Sequence, residues 1–234
     1  ALEPHWTEIV TCVDRAATYT DWGREETLKA LQAKAELGMR NVELKEEAKP
    51  AAEARTPNSE LRIEVLPHGV EPECRDLGLD RDGWLSLRNE LFAKQFTGFD
   101  AARDVVLLTV CAHNKRKGLA QTLWTGRLLK EARAFGGGRF RLLLHVARKN
   151  PHDGSALEVQ ARQMGLVPGE DWQHTDDDRV WVGGNPKLAP AELNRFYHAA
   201  DALVSTSLGE GWGLPLTDAL AAGCPVFAPD HSAV

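Results

Sequence analysis

Apolar residues fall along this chain in short runs that alternate between two rhythms. Val105–Val110 (VVLLTV) is an unbroken run of mostly branched residues, the pattern of a parallel strand covered on both faces. Residues 141–146 and 202–206 repeat that pattern, and 16–20 and 61–66 carry weaker versions. Between the runs, apolar positions take helical spacing. Trp84, Leu85, Leu87, Leu91 and Phe92 predict a helix over 84–96, and Leu123, Trp124, Leu128 and Leu129 predict the inward side of one over 119–135. Two more helices are expected over 156–164 and 191–199, the latter turning Leu193, Phe196 and Tyr197 inward. Trp6, Ile9, Val10 and Val13 suit an amphipathic helix within 1–15, and Asp21 can cap another from Trp22 to about Leu37, with Glu25, Glu26 and Lys29 on its solvated face. Residues 42–60, rich in Glu, Lys, Ala and Pro, read as a flexible connection. From Leu61 onward, strands alternate with helices at βα spacing. This predicts an α/β fold, a Rossmann-like doubly wound parallel sheet over 61–234, preceded by a separate segment, 1–60.

Two loops carry candidate chemistry. The run 202–206 feeds Gly209-Glu210-Gly211-Trp212-Gly213, where three glycines in five positions permit a sharp bend or a close approach to a ligand. Pro215 suits the first turn of a helix that Gly223 would end, and a strand follows at 225–228. The N-terminus of such a helix attracts anions. Glu210 and Asp218, however, place carboxylates there, and these are suited to accept hydrogen bonds from hydroxyls. A ligand with both phosphate and hydroxyl groups fits, and so does a plain packed turn; both readings stand at this point. The second loop, 111–118 (CAHNKRKG), is the densest basic stretch. In a doubly wound sheet both loops can reach one crevice at the carboxyl edge. No Gly-x-Gly-x-x-Gly follows Val105–Val110 and no P-loop occurs, which argues against nicotinamide and P-loop chemistry. His68, in the turn Pro67-His68-Gly69-Val70, is either a ligand contact or a polar surface residue. Asp176-Asp177-Asp178 reads as a solvated turn before a strand at 179–182 rather than as a metal site.

Charge and cysteines narrow the partners. A formal charge of −6 gives no general attraction to nucleic acid or to an anionic membrane, so any phosphate site must be built locally. No apolar run approaches the length of a membrane span, and no basic-then-apolar leader opens the chain. Cys12, Cys74, Cys111 and Cys224 are widely separated, which favours reduced thiols, a cytoplasmic setting and no zinc.

Several motifs in order resemble one family. Glu210-Gly211-Trp212-Gly213-Leu214-Pro215-Leu216-Thr217-Asp218 is similar to the Glu, seven residues, Glu motif of retaining family 4 glycosyltransferases (glycosyltransferases group 1), with Asp in the second acidic place. Ala221-Ala222-Gly223-Cys224-Pro225-Val226 continues it. Leu66-Pro67-His68-Gly69-Val70 resembles the turn that opens the family's donor domain, Arg116-Lys117-Gly118 its basic loop, and Phe196-Tyr197-His198-Ala199-Ala200-Asp201 its preceding helix. Residues 16–24 (AATYTDWGR) resemble the end of the acceptor domain.

The resemblance implies the C-terminal, donor-binding half of a GT-B enzyme that moves a sugar, with retention, from a nucleoside-diphosphate sugar to an acceptor glycan, lipid or protein. It implies no metal and no cofactor beyond that donor. Glu210 and Lys117 would be catalytic, Glu210 at the sugar and Lys117 at the diphosphate. The backbone of Gly211, Trp212, Gly213 and Leu214 would line the donor, and Asp218 would take the ribose hydroxyls. Two departures stand out. The family's arginine five or six residues before the lysine is replaced by Ala112 and Cys111, leaving His113, Lys115 or Arg116 to substitute. The resemblance also implies that the chain covers only the end of an acceptor domain and stops before the family's last strand and closing helices. The expectation is a fragment, partnered in the whole enzyme by the rest of an N-terminal domain and inactive in transfer alone. A non-catalytic nucleotide-sugar-binding module and a GT-B nucleotide-sugar epimerase are the rival readings.

Overall fold

The computed structural model describes residues 15–18, 25, 29, 62–65, 68–132, 137–148, 156–175 and 188–230. The expected helix before residue 15, the connection over 42–60, the Asp176-Asp177-Asp178 turn and the strand at 179–182 lie outside the described residues, as does most of the helix expected from Trp22. The chain divides into two compact units, Ala1–His68 and Gly69–Ser232. In the first, β1 (Arg15–Thr18) pairs in parallel with β2 (Arg62–Val65), with Arg15 opposite Arg62. The strand expected over 61–66 thus pairs with β1 and not with the larger sheet. Glu25 and Lys29 are helical and exposed.

The second unit is a doubly wound α/β fold. Its described strands are β3 (Val105–Val110), β4 (Phe140–His145), β5 (Trp172–His174), β6 (Ala202–Val204) and β7 (Val226–Phe227), all parallel, in the order β5-β4-β3-β6-β7. The chain starts at the centre with β3, steps outward through β4 and β5, then returns to β3's other side for β6 and β7. The order reverses between β3 and β6, and the loops leaving those two strands face one crevice.

Alternation along the strands divides the core. Val106 and Leu108 of β3 and Leu143 of β4 pack with α1 (Arg81–Phe92), α4 (Pro190–Ala199) and α5 (Leu214–Ala221). Leu107, Leu142 and Leu144 pack with α2 (Leu119–Ala132) and α3 (Leu157–Gln163).

Three details depart from the periodicity. α1 starts at Arg81, three residues early, because the Asp80 side chain accepts from the Gly83 amide at 2.8 Å and fixes the first turn. On α2, Trp124 and Leu128 face outward, each 49% exposed, while Leu119, Thr122, Leu123 and Gly126 take the buried side. Trp124 instead lies under the Arg127 guanidinium, 5.2 Å from its ring centre. β5 had no signal of its own: Trp-Gln-His is no apolar run, and pairing with Leu142–Leu144 makes it a strand. Among the described residues no helix is long and apolar enough to cross a membrane.

The amino edge of the sheet is tied by buried charge. Asp104 and Asp201 immediately precede β3 and β6. Arg141 Nε donates to Asp104 Oδ2 at 2.8 Å, and Arg88 Nη1 donates to Asp201 Oδ2 at 2.9 Å. Asp201 also accepts from the Val106 amide at 2.7 Å, joining β6 to β3. Both arginines are fully buried. Arg141→Met should therefore cost about 3–5 kcal/mol in urea unfolding, because Asp104 keeps its charge and loses its cation. Adding Asp104→Asn to that variant should cost much less than the sum of the single changes.

Candidate functional site

The crevice is built by two loops that the backbone holds together. After β3, the Asn114 side chain accepts from the Lys117 amide at 3.2 Å and caps a 3₁₀ turn over Lys115–Lys117. Gly118 ends that turn at φ 62°, in the left-handed region, and presses against the loop after β6: a Cβ there would lie 2.3 Å from the Thr206 carbonyl oxygen. The Thr206 hydroxyl donates to the Gly118 carbonyl at 2.8 Å and sits 2.7 Å from the Thr122 hydroxyl. The Leu208 amide donates to the Arg116 carbonyl at 2.7 Å.

This close seam sets one carboxylate between two cations. Lys117 Nζ donates to Glu210 Oε1, and Arg116 Nη1 donates to Glu210 Oε2 at 3.0 Å and to the Gly209 carbonyl. The Lys117 and Glu210 side chains are 12% and 10% exposed, so the pair is shielded from solvent, while Arg116 is half in water at 51%. Burial raises the Glu210 carboxyl, but hydrogen bonds from Lys117, Arg116 and Ser207 outweigh it and hold the group below the usual carboxylate range. Thr109, Cys111, Lys117, Thr206, Glu210 and Pro215 are among the residues lining the cleft. Burial pushes the Cys111 thiol up to about 12, so it stays neutral.

The remaining predicted site residues divide. Gly213, at φ 85°, turns the chain into α5, with Gly211 and Leu214 exposed and Trp212 half-buried beside it. Of the three substitutes for the missing arginine, only Arg116 reaches Glu210. Lys115 is exposed, and the buried His113 places Nδ1 2.6 Å from the Ala147 carbonyl, beyond the end of β4. Asp218 lies within α5 and is buried; its Oδ1 accepts from the Glu71 amide at 3.3 Å. Burial, and then the nearby Glu71 charge, raises its carboxyl above the usual range against the pull of that hydrogen bond. Thr206, Thr122, Ser207 and the Glu71 amide, which hold the seam and the candidate carboxylates, were missed by sequence reasoning. Only Asn114 had a local signal, its cap three residues before Lys117. His68 closes the first unit and is half-buried. Among the described residues no group of three or more His, Cys, Asp or Glu side chains is placed to hold a metal ion.

The family model for glycosyl transferases group 1 matches residues 181–234, which contain the Glu210 loop and α5. No curated protein sequence matches the chain. Among solved structures, an E. coli structure described as trehalose-6-phosphate bound with UDP-2-fluoro glucose superimposes with a TM-score of 0.61 at 15% identity, over 98% of this chain and 49% of its own. Sucrose-phosphate synthase from Thermosynechococcus elongatus gives 0.58 at 17% identity, over 97% of this chain and 43% of its own. WaaG, described as a glycosyltransferase involved in lipopolysaccharide biosynthesis, gives 0.50 at 20% identity, over 73% of this chain and 39% of its own. The chain therefore spans half or less of the length of these structures. What they share with it is the fold, the Rossmann-like α/β architecture of GT-B enzymes.

Two outcomes follow from this geometry. Gly118 and Gly78 share the same left-handed backbone, φ 62° and 61°, but only Gly118 has an obstruction. Gly78→Ala should cost about 1 kcal/mol and Gly118→Ala about 2–4 kcal/mol in urea unfolding, the excess arising at the seam. For Asp218, a raised folded-state pKa means the folded protein holds the proton more tightly than the unfolded chain. Its ionisation then subtracts stability as pH rises past the unfolded value of about 3.9. Asp218→Asn should raise the melting temperature at pH 7, with the gain vanishing below about pH 4; an equal gain at both pH values would refute the assignment.

Proposed function

We propose that this chain is the donor-binding half of a group 1 glycosyltransferase, moving a sugar with retention from a nucleoside-diphosphate sugar to an acceptor. The observation that carries the reading is the assembly of Lys117, Arg116 and Glu210 at the strand switch by two separate loops. Two fixed cations suit a diphosphate. As the bond between the sugar carbon and the phosphate oxygen breaks, negative charge grows on the leaving phosphate, and Lys117 is the shielded cation to meet it. Arg116 serves where the family's usual arginine is missing. Glu210 is the carboxylate for sugar hydroxyls, and the backbone of Gly211, Trp212, Gly213 and Leu214 lines the donor. Asp218, in its separate buried position, reads the ribose hydroxyls.

The test is a thermal-shift panel of UDP, GDP and ADP with their common sugar conjugates, since a ligand that binds only the folded state raises its melting temperature. The nucleotide that binds should lose roughly tenfold to a hundredfold in affinity on Lys117→Ala. Lys115→Ala, at an exposed position, should change little. Equal small losses for both variants would remove Lys117 from the site.

A further inference from the structure

Both cations that the proposed function gives to a diphosphate are already engaged. Lys117 bonds one Glu210 oxygen and Arg116 lies 3.0 Å from the other, with the Lys117–Glu210 pair largely out of solvent. An entering diphosphate must take these cations from Glu210, and it then sits beside a carboxylate that has lost both of them. We propose that Glu210 is the specificity-determining residue that separates a sugar-bearing nucleotide from a bare nucleoside diphosphate, by occupying the cation pair until a ligand offers it hydroxyl donors. The inference rests on the donor-binding reading above.

The argument is a balance of partners. A bare diphosphate brings a terminal phosphate with more charge than its sugar ester and lacks the sugar hydroxyls that would donate to Glu210. Two anions then share Lys117 and Arg116, and one is left undercompensated in a shielded site. A nucleotide sugar lowers the phosphate charge and presents hydroxyls, so Glu210 exchanges its cation bonds for new ones. The carboxylate penalises the first ligand and rewards the second. The same asymmetry would help the spent nucleotide leave after transfer.

A structural role for Glu210 makes the opposite forecast. If its ion pairs were what joins the loops, removing its charge would loosen the crevice and weaken every ligand. The loops are joined independently, however, by the Leu208 amide on the Arg116 carbonyl and the Thr206 hydroxyl on the Gly118 carbonyl. Neutralising Glu210 therefore leaves the seam in place and frees the cations.

Isothermal titration of the whole 234-residue chain and of Glu210→Gln tests this, with inorganic pyrophosphate, UDP and UDP-glucose as probes. GDP or ADP and their glucose conjugates replace the uridine pair if the panel selects them. Glu210→Gln should bind pyrophosphate and the bare diphosphate roughly tenfold tighter and the glucose conjugate severalfold weaker. Lys117→Ala added to Glu210→Gln should abolish the gain. If Glu210→Gln melts below the native protein, Glu210→Asp, which keeps the charge but withdraws it from the cations, should give a smaller gain of the same sign. Unchanged or weaker binding of the bare diphosphate by a folded variant, with nucleotide binding still dependent on Lys117, overturns this inference alone. Failure of the native chain and of Glu210→Gln to bind any nucleotide overturns the donor-binding reading, and the inference with it.

Discussion

The contact between Gly118 and the Thr206 carbonyl sets how close the two crevice loops can come. Both loops belong to neighbouring strands, β3 and β6, but strand adjacency alone leaves loop tips free to diverge. Absence of a Cβ at Gly118 brings its backbone against Thr206, and hydroxyls of Thr206 and Thr122 fill the join. Only with that spacing fixed do Lys117 and Arg116, at the end of one loop, meet Glu210 on the other. The charge cluster is thus a consequence of backbone packing and depends on a residue with no side chain.

The two edges of the sheet use charge differently. At the amino edge, Arg88 and Arg141 are fully buried and their carboxylates sit on strand-leading positions, with backbone groups meeting the remaining donors. Such a satisfied network is structural, since every charge has its partner inside the protein. At the carboxyl edge, Arg116 is half in solvent, and Lys117 and Glu210 line the cleft between the two loops. On the proposed reading, it is there that the partners would be exchanged for those of a ligand. The proposed anion site is compatible with a net charge of −6 because the attraction would be local and shielded.

Legibility in the sequence followed how local each feature's cause was. β3 was readable because VVLLTV is apolar on both faces, and both pack against helices, fully at Val106 and Leu108 and partly at Leu107. α5 was readable from Pro215 and Gly223, which act on their own backbone. β5 was not, because its strand character comes from pairing with β4. Trp124 and Leu128 were misplaced because their apolar character suggested an inward face, whereas the face that Leu123 and Gly126 share decides which side is buried. At the site, the loops and their residue types were visible, but the Lys117–Glu210 pair joins positions 93 apart and has no local signature. Nor could the sequence choose among His113, Lys115 and Arg116. That choice is made by Ala147, whose carbonyl takes His113, and by the seam, which turns Arg116 onto Glu210.

The two carboxylates of the Glu210–Asp218 motif end in opposite electrostatic states. Hydrogen bonds from two cations and a hydroxyl overcome burial at Glu210, whereas at Asp218 burial and a neighbouring acid prevail over a single amide. Seven residues separate them, yet one sits on the loop that meets the cations and the other on the buried side of the helix that follows. A carboxylate paired with two cations competes with any anion for them, and a carboxylate strained by burial gains from any donor that reaches it. On the proposed donor-binding reading, the short motif supplies two acceptors that would respond differently to the same ligand, one exchanging partners and the other acquiring them. Environment separates their roles more than the chemical difference between Glu and Asp does.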